Sequence, residues 1–313
     1  AYSITQSTQT GGLTISSTSG ATDRTLTVGA GGFTSLQNAS LTIGSGSSTN
    51  KVNVLLDGSQ IWSGTGANGT SSLAIRNTIS RAAGDTSNRT LAFDWGTSNL
   101  GAVTLGSVQD GGASGSLGLW TTGISTLSFT GSSSYTGPTT LSGGSRIWIQ
   151  ANQLPTSGTM VLRGTWQSSN STYGVMTGTG SVTTPKIVVQ AGVNYFAPGM
   201  SAVATLGSGT ANLGTITRTG GVARFSRIGS GSTAYQVGNS NNSAGVLGAW
   251  AMDTSDSWVT VNSGTLAIAT SSTVTESGLT SVNGVYKVGA LTLTAPRFAY
   301  VISGTSTAAQ TIA

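Results

Sequence analysis

Asp253 and Asp256 stand three positions apart in AMDTSDSW, between Trp250 and Trp258. Two carboxylates flanked by aromatic rings suit glycoside cleavage if they converge to about 5–9 Å. The plainer reading is a polar loop between two tryptophan-bearing segments. The other acids, Asp23, Asp57, Asp85, Asp94, Asp110 and Glu276, are scattered singly. VQDGGASG (108–115) could hold one weak cation, although it lacks the Asp-rich spacing of a calcium loop. Lys186 in PKIVVQ and Lys287 in VYKVG, eleven residues after Glu276, sit in the apolar settings an isopeptide cross-link requires. A solvated lysine is the alternative for each.

No histidine and no cysteine occurs in the 313 residues. The commonest general base and metal ligand is therefore missing, which excludes Ser-His-Asp hydrolases and zinc sites of ordinary composition. The glycine-rich words lack the Gly-Lys-Ser/Thr ending of a phosphate loop and read as turns. These residues point to no catalytic group, no cofactor and no metal, and hence to no enzyme. The net charge of +5 is thinly spread; its closest cluster, Arg218, Arg224 and Arg227, has no aromatic platform beside it, which argues against nucleic acid. No apolar run is long enough to span a membrane as a helix.

The aromatic residues offer contact chemistry. Trp148 interrupts RIWI, so it points opposite to Ile147 and Ile149, outward if those two face a core. Trp95, Trp120 and Trp166 are similar candidates. An outward tryptophan serves as a sugar-stacking platform, a protein contact or an end cap.

The elements that must position these residues are strands. Charged residues make up only 7% of the chain, with one glutamate and three lysines, so the outer faces of helices have no material. Short runs alternating apolar residues with Thr, Ser or Ala recur at 25–28, 40–43, 51–56, 90–93, 126–129, 146–149, 160–162, 186–189, 213–217, 222–226, 258–261, 265–268, 290–293 and 298–302. Gly-Ser, Gly-Gly and Asn-Gly pairs punctuate them as turns. Residues 71–88 (SSLAIRNTISRAAGDTSN) read as a short helix or an excursion from the sheet, and 229–245 as the loosest loop. The pattern predicts an all-β chain, one elongated parallel β-helix or β-solenoid over 1–313, with stacked β-sandwiches as the alternative.

The string LSFTGSSSYTGPTTLSGG (127–144) resembles the autotransporter-associated β-strand repeat. Leu127 and Phe129 match its first strand, Tyr135 and Gly137 its centre, and Thr139 with Leu141 its second strand. Gly143–Gly144 match the closing turn, Arg146–Ile149 the third strand, and Leu154–Pro155 the tail. ITRTGGVARFS (216–226), AGVLGAWAMDTSDSWVTV (244–261) and GTLAIAT (264–270) resemble a block that follows such repeats in large secreted bacterial proteins. The resemblance implies a parallel β-helix with repeat-like rungs at 101–165, a C-terminal block at 213–270, and an extracellular or cell-surface location.

The expected role is a non-catalytic structural subunit of a bacterial extracellular fibre or surface layer. It would associate with itself by β-strand addition, to which AYSITQSTQT contributes alternating Tyr2 and Ile4 over residues 1–12. An adhesin passenger binding a glycan or host surface is the second expectation, and a carbohydrate-active β-helix the third.

Overall fold

The computed structural model describes residues 12–17, 23–35, 40–45, 51–64, 72–95, 101–123, 125–165, 174–200, 207–229, 231–242, 245–269, 279–282 and 285–288. Among these residues every helix or strand element is a strand. Each coil contributes short strands to two or three faces of a parallel β-solenoid, and successive coils pair through their backbones.

Among the described residues the first face is ten strands deep. Gly12–Ile15, Ser40–Ile43, the start of Ser72–Arg81, the start of Gly101–Gly111, and Ser125–Phe129 stack in parallel. The end of Thr139–Ile149, then Val175–Thr177, Val193–Ala197, Val222–Phe225 and Ala251–Asp253 continue the column. The third face runs from Thr34–Ser35 through Gln60–Gly64, Arg89–Trp95, Leu117–Thr122, the start of Thr139–Ile149, Thr159–Thr165 and Lys186–Ala191 to Thr217–Arg218. Between them the second face holds Arg24–Val28, Val52–Leu56 and the ends of the two long strands. Higher in the stack it is rebuilt from Gly180–Thr183, Gly209–Gly214 and Thr233–Val237. Parallel pairing coil upon coil sets this apart from stacked sandwiches, whose strands pair antiparallel.

The core follows from period-2 alternation and in-register stacking. Leu41, Leu73, Val103, Leu127, Ile147, Val175, Phe196 and Phe225 lie one above another, all buried. Each such side chain stabilises the fold by about 1.5–3 kcal/mol. On the third face Phe33, Trp62 and Phe93 form an edge-to-face ladder with centroids 4.9 and 5.8 Å apart. The outward positions carry hydroxyls that reach across coils, as Thr104 and Ser128 do at 3.2 Å.

One chain segment turns a corner without leaving its strand. At Gly143 (φ 65°) and Gly144 (φ 85°) the strand Thr139–Ile149 passes from the third face to the first, and the pairing register shifts between Ser142 and Ser145. Left-handed φ at two consecutive positions is a conformation glycine adopts without a Cβ penalty.

Two expectations are corrected. Residues 72–81 are a strand inside the sheet, neither a helix nor an excursion. A register shift between Ile75 and Thr78 separates Leu73 and Ile75 from Ile79, and this two-then-four spacing imitates a helical period. Within 229–245, Thr233–Val237 is a strand whose buried Tyr235 places its hydroxyl 2.8 and 2.9 Å from the carbonyls of Phe196 and Ser226. The segment 213–217 straddles a break between Gly209–Gly214 and Thr217–Arg218. The expected strands at 290–293 and 298–302 lie outside the described residues.

The top of the stack changes direction. Met252 bridges Trp258 antiparallel, and the Asp253 amide donates to the Ser257 carbonyl at 2.8 Å. Thr265–Ile268 then pairs antiparallel with both Thr233–Val237 and Val259–Asn262. A separate hairpin joins Leu279–Val282 to Val285–Val288.

Candidate functional surfaces

Asp253 and Asp256 are turned to different tasks. Buried Asp253 accepts the Ser255 and Ser257 amides on Oδ1 at 2.9 and 2.7 Å, closing the loop on itself. Asp256, at φ 65°, is exposed and pairs with the Arg224 guanidinium. Trp250 packs against the core. Each carboxylate thus has a partner in the loop or on the neighbouring strand.

The VQDGGASG loop holds a cation supplied by the chain itself. Arg81 occupies an inward position, in register above Leu56, and is 1% exposed. Its Nε donates to the Asp110 carbonyl at 2.8 Å. Nη1 reaches the carbonyls of Asp85, Ser87 and Ser114, and Nη2 those of Gly111 and Gly115, at 2.6–3.2 Å. The Asp110 carboxylate is occupied elsewhere: it accepts the amides of Leu117 and Thr136 and the Thr136 hydroxyl. The oxygens that could ligate a metal ion are directed at a guanidinium and at backbone amides. Nearby, Arg89 pairs with Asp85 at 2.8 Å, and that hydrogen bond, with the Ser87 amide, holds the Asp85 carboxyl below its ordinary value of 3.8.

A second buried arginine has no such cradle. Arg146 is 1% exposed, and neither its Nε nor its Nη2 has a hydrogen-bond partner. Desolvation pushes its pKa down to about 10. Sequence reasoning missed both arginines as interior groups. For Arg81 a signal exists, because Ile79-Ser80-Arg81 puts the charge at an inward step of the alternation.

The tryptophan candidates separate. Trp148 points outward on the first face, opposite to Ile147 and Ile149, but is half-buried beneath Met176, Ala197 and Met200 and donates Nε1 to the Met200 carbonyl at 3.1 Å. Trp120 is 39% exposed on the third face and donates Nε1 to the Ser142 hydroxyl at 2.8 Å. It sits in register with Ala92, and Ala92 with Ile61, which is 63% exposed. This outward apolar ladder was not expected from the sequence. Trp95 ends a strand, and nothing is described of its side chain; Trp166, Tyr2 and Ile4 lie outside the described residues. Lys186 is exposed at a strand start, Lys287 lies in the separate hairpin, and Glu276 is outside the described residues.

No family model, curated protein or solved structure matches this chain.

Proposed function

We propose that this chain is a non-catalytic structural subunit of a bacterial extracellular fibre or surface layer, joined to its neighbours by β-strand addition. The observation that carries the reading is the asymmetry of the stack. At the top, Met252–Trp258 and the antiparallel pair 259–268 fold back over the last coil. At the bottom, Gly12–Ile15 pairs in parallel with Ser40–Ile43, and strand addition beneath it would extend the same column. The likeness of 127–155 and 213–270 to autotransporter passenger segments supports a secreted location. Electron microscopy of the secreted protein, with and without residues 1–10, tests this. Fibres that disappear on deletion are the expected result; dispersed rods in both samples sink the proposal.

The exposed ladder of Ile61 and Trp120 favours a second reading, an adhesin that presents this face to a glycan or host surface.

A further inference from the structure

Along the corner between the first and second faces runs a shallow open groove of about 210 Å³ that crosses four coils. Lys51 lies on one coil, Arg76 and Thr78 on the next, Ser107 on the third and Thr130 on the fourth. At a coil spacing of about 4.8 Å, this is a track of roughly 14 Å parallel to the solenoid axis.

The groove exists because its floor has lost its side chains. Arg76 follows Ile75, which pairs with Ile43 below and Leu105 above, so glycines 44 and 106 flank it. A Cβ on Gly106 would meet the Asn77 carbonyl oxygen at 2.3 Å. The Asn77 side chain is tied down, its Oδ1 accepting the Val52 amide at 3.0 Å. The wall is fixed, and Arg76 beside it is exposed.

The charges in the groove are uncommitted. Most other arginines are engaged: Arg81 on carbonyls, Arg89 and Arg224 on carboxylates, Arg163 on Gln190, Arg218 on the Gly221 carbonyl, and Arg227 on the carbonyls of Pro198 and Gly207, whereas Arg146 leaves two nitrogens unpaired in the interior. Among the described residues neither Lys51 nor Arg76 has an ion pair or a side-chain hydrogen bond. The adjacent Asp23 and Arg24 at the lower end contribute opposite charges and leave the balance positive. The groove is lined by hydroxyls, glycines and an amide, with no aromatic ring. Bases would find nothing to stack on, whereas sugar hydroxyls would find donors and acceptors.

We infer that this corner groove binds an acidic polysaccharide, an oxyanion-bearing glycan laid along the axis, with its carboxylate or sulfate groups on Arg76 and Lys51. The inference rests on the groove alone and does not depend on how subunits join.

The test is affinity electrophoresis of the whole chain in gels containing polygalacturonate, dextran sulfate or neutral dextran, with single-stranded DNA as a fourth probe. Retardation by polygalacturonate or dextran sulfate and none by dextran is expected, and the tighter of the two identifies the anion. Removing both charge contacts in K51Q/R76Q should weaken binding about tenfold. K186Q removes an exposed charge elsewhere and should bind as the wild type does, with thermal unfolding confirming that all variants fold. Absence of retardation by both acidic glycans overturns the proposal. So does equal weakening by K186Q and K51Q/R76Q, or tighter binding of DNA than of either glycan.

Discussion

Arg81 and Asp110 meet at one corner without pairing their charges: the guanidinium Nε takes the aspartate's carbonyl oxygen at 2.8 Å, and the carboxylate turns away to the amides of Leu117 and Thr136. Each residue ties its charge to backbone, so together they fix two successive coils. Carbonyls 85 and 87 belong to one coil, and 110, 111, 114 and 115 to the next.

Arg81→Met should therefore destabilise strongly. It removes the buried guanidinium's hydrogen bonds to six carbonyls, and a hydrogen bond to a charged group contributes about 1.5–3 kcal/mol. A loss of at least ~3 kcal/mol in urea unfolding is expected. Arg81→Lys should recover little, because a point charge cannot serve six carbonyls at once.

Arg146 predicts the opposite sign. Its buried Nε and Nη2 are unpaired, so Arg146→Met should stabilise by about 1–3 kcal/mol. Its pKa is lower folded than unfolded, so the unfolded chain binds more protons as pH rises above about 10. Stability of the wild type relative to the variant should rise with pH in that range and stay constant below it. Burial pushes the Tyr135 hydroxyl up, which gives a slope of opposite sign, common to both proteins. The difference between the two unfolding curves therefore isolates Arg146.

Asp85 governs the acid limb. Its folded pKa is depressed, so its contribution is present above the ordinary carboxylate value of 3.8 and is lost as pH falls through the folded value. Asp85→Asn should lower thermal stability modestly at neutrality, and the variant and the wild type should converge as pH falls below 4; an acid limb of unchanged steepness counts against this assignment.

Leu127→Ala tests the first-face column. The side chain is fully buried between Val103 and Ile147, and its loss should cost about 2–5 kcal/mol. Thr104→Ala, an outward hydroxyl in the same face, should cost well under 1 kcal/mol.

The fold class was legible because alternation and turn chemistry act locally: TLSF, RIWI and KIVVQ all become strands, with Leu127, Phe129, Ile147, Ile149, Ile187 and Val189 inside. What failed was non-local. The bulge after Ile75 disguised a strand, and Tyr235 gave no hint that its hydroxyl would find carbonyls on two other segments. The candidate loop at 108–115 was recognised as oxygen-rich, but the cation that fills it comes from about thirty residues earlier. The groove was invisible because its members are scattered over four coils and only the stacking register aligns them.

Coil length has a mechanical consequence. Leu127 lies beneath Ile147 and Leu41 beneath Leu73, so one coil takes 20 residues and another 32. Their hydrogen bonds run along the axis, so tension applied there peels layers one at a time instead of shearing a sheet. Each layer would release roughly 70–110 Å of contour, in unequal steps set by its own length. Pulled by its ends, the rod would unspool as a brake, with a sequence of step sizes that identifies which layer has let go.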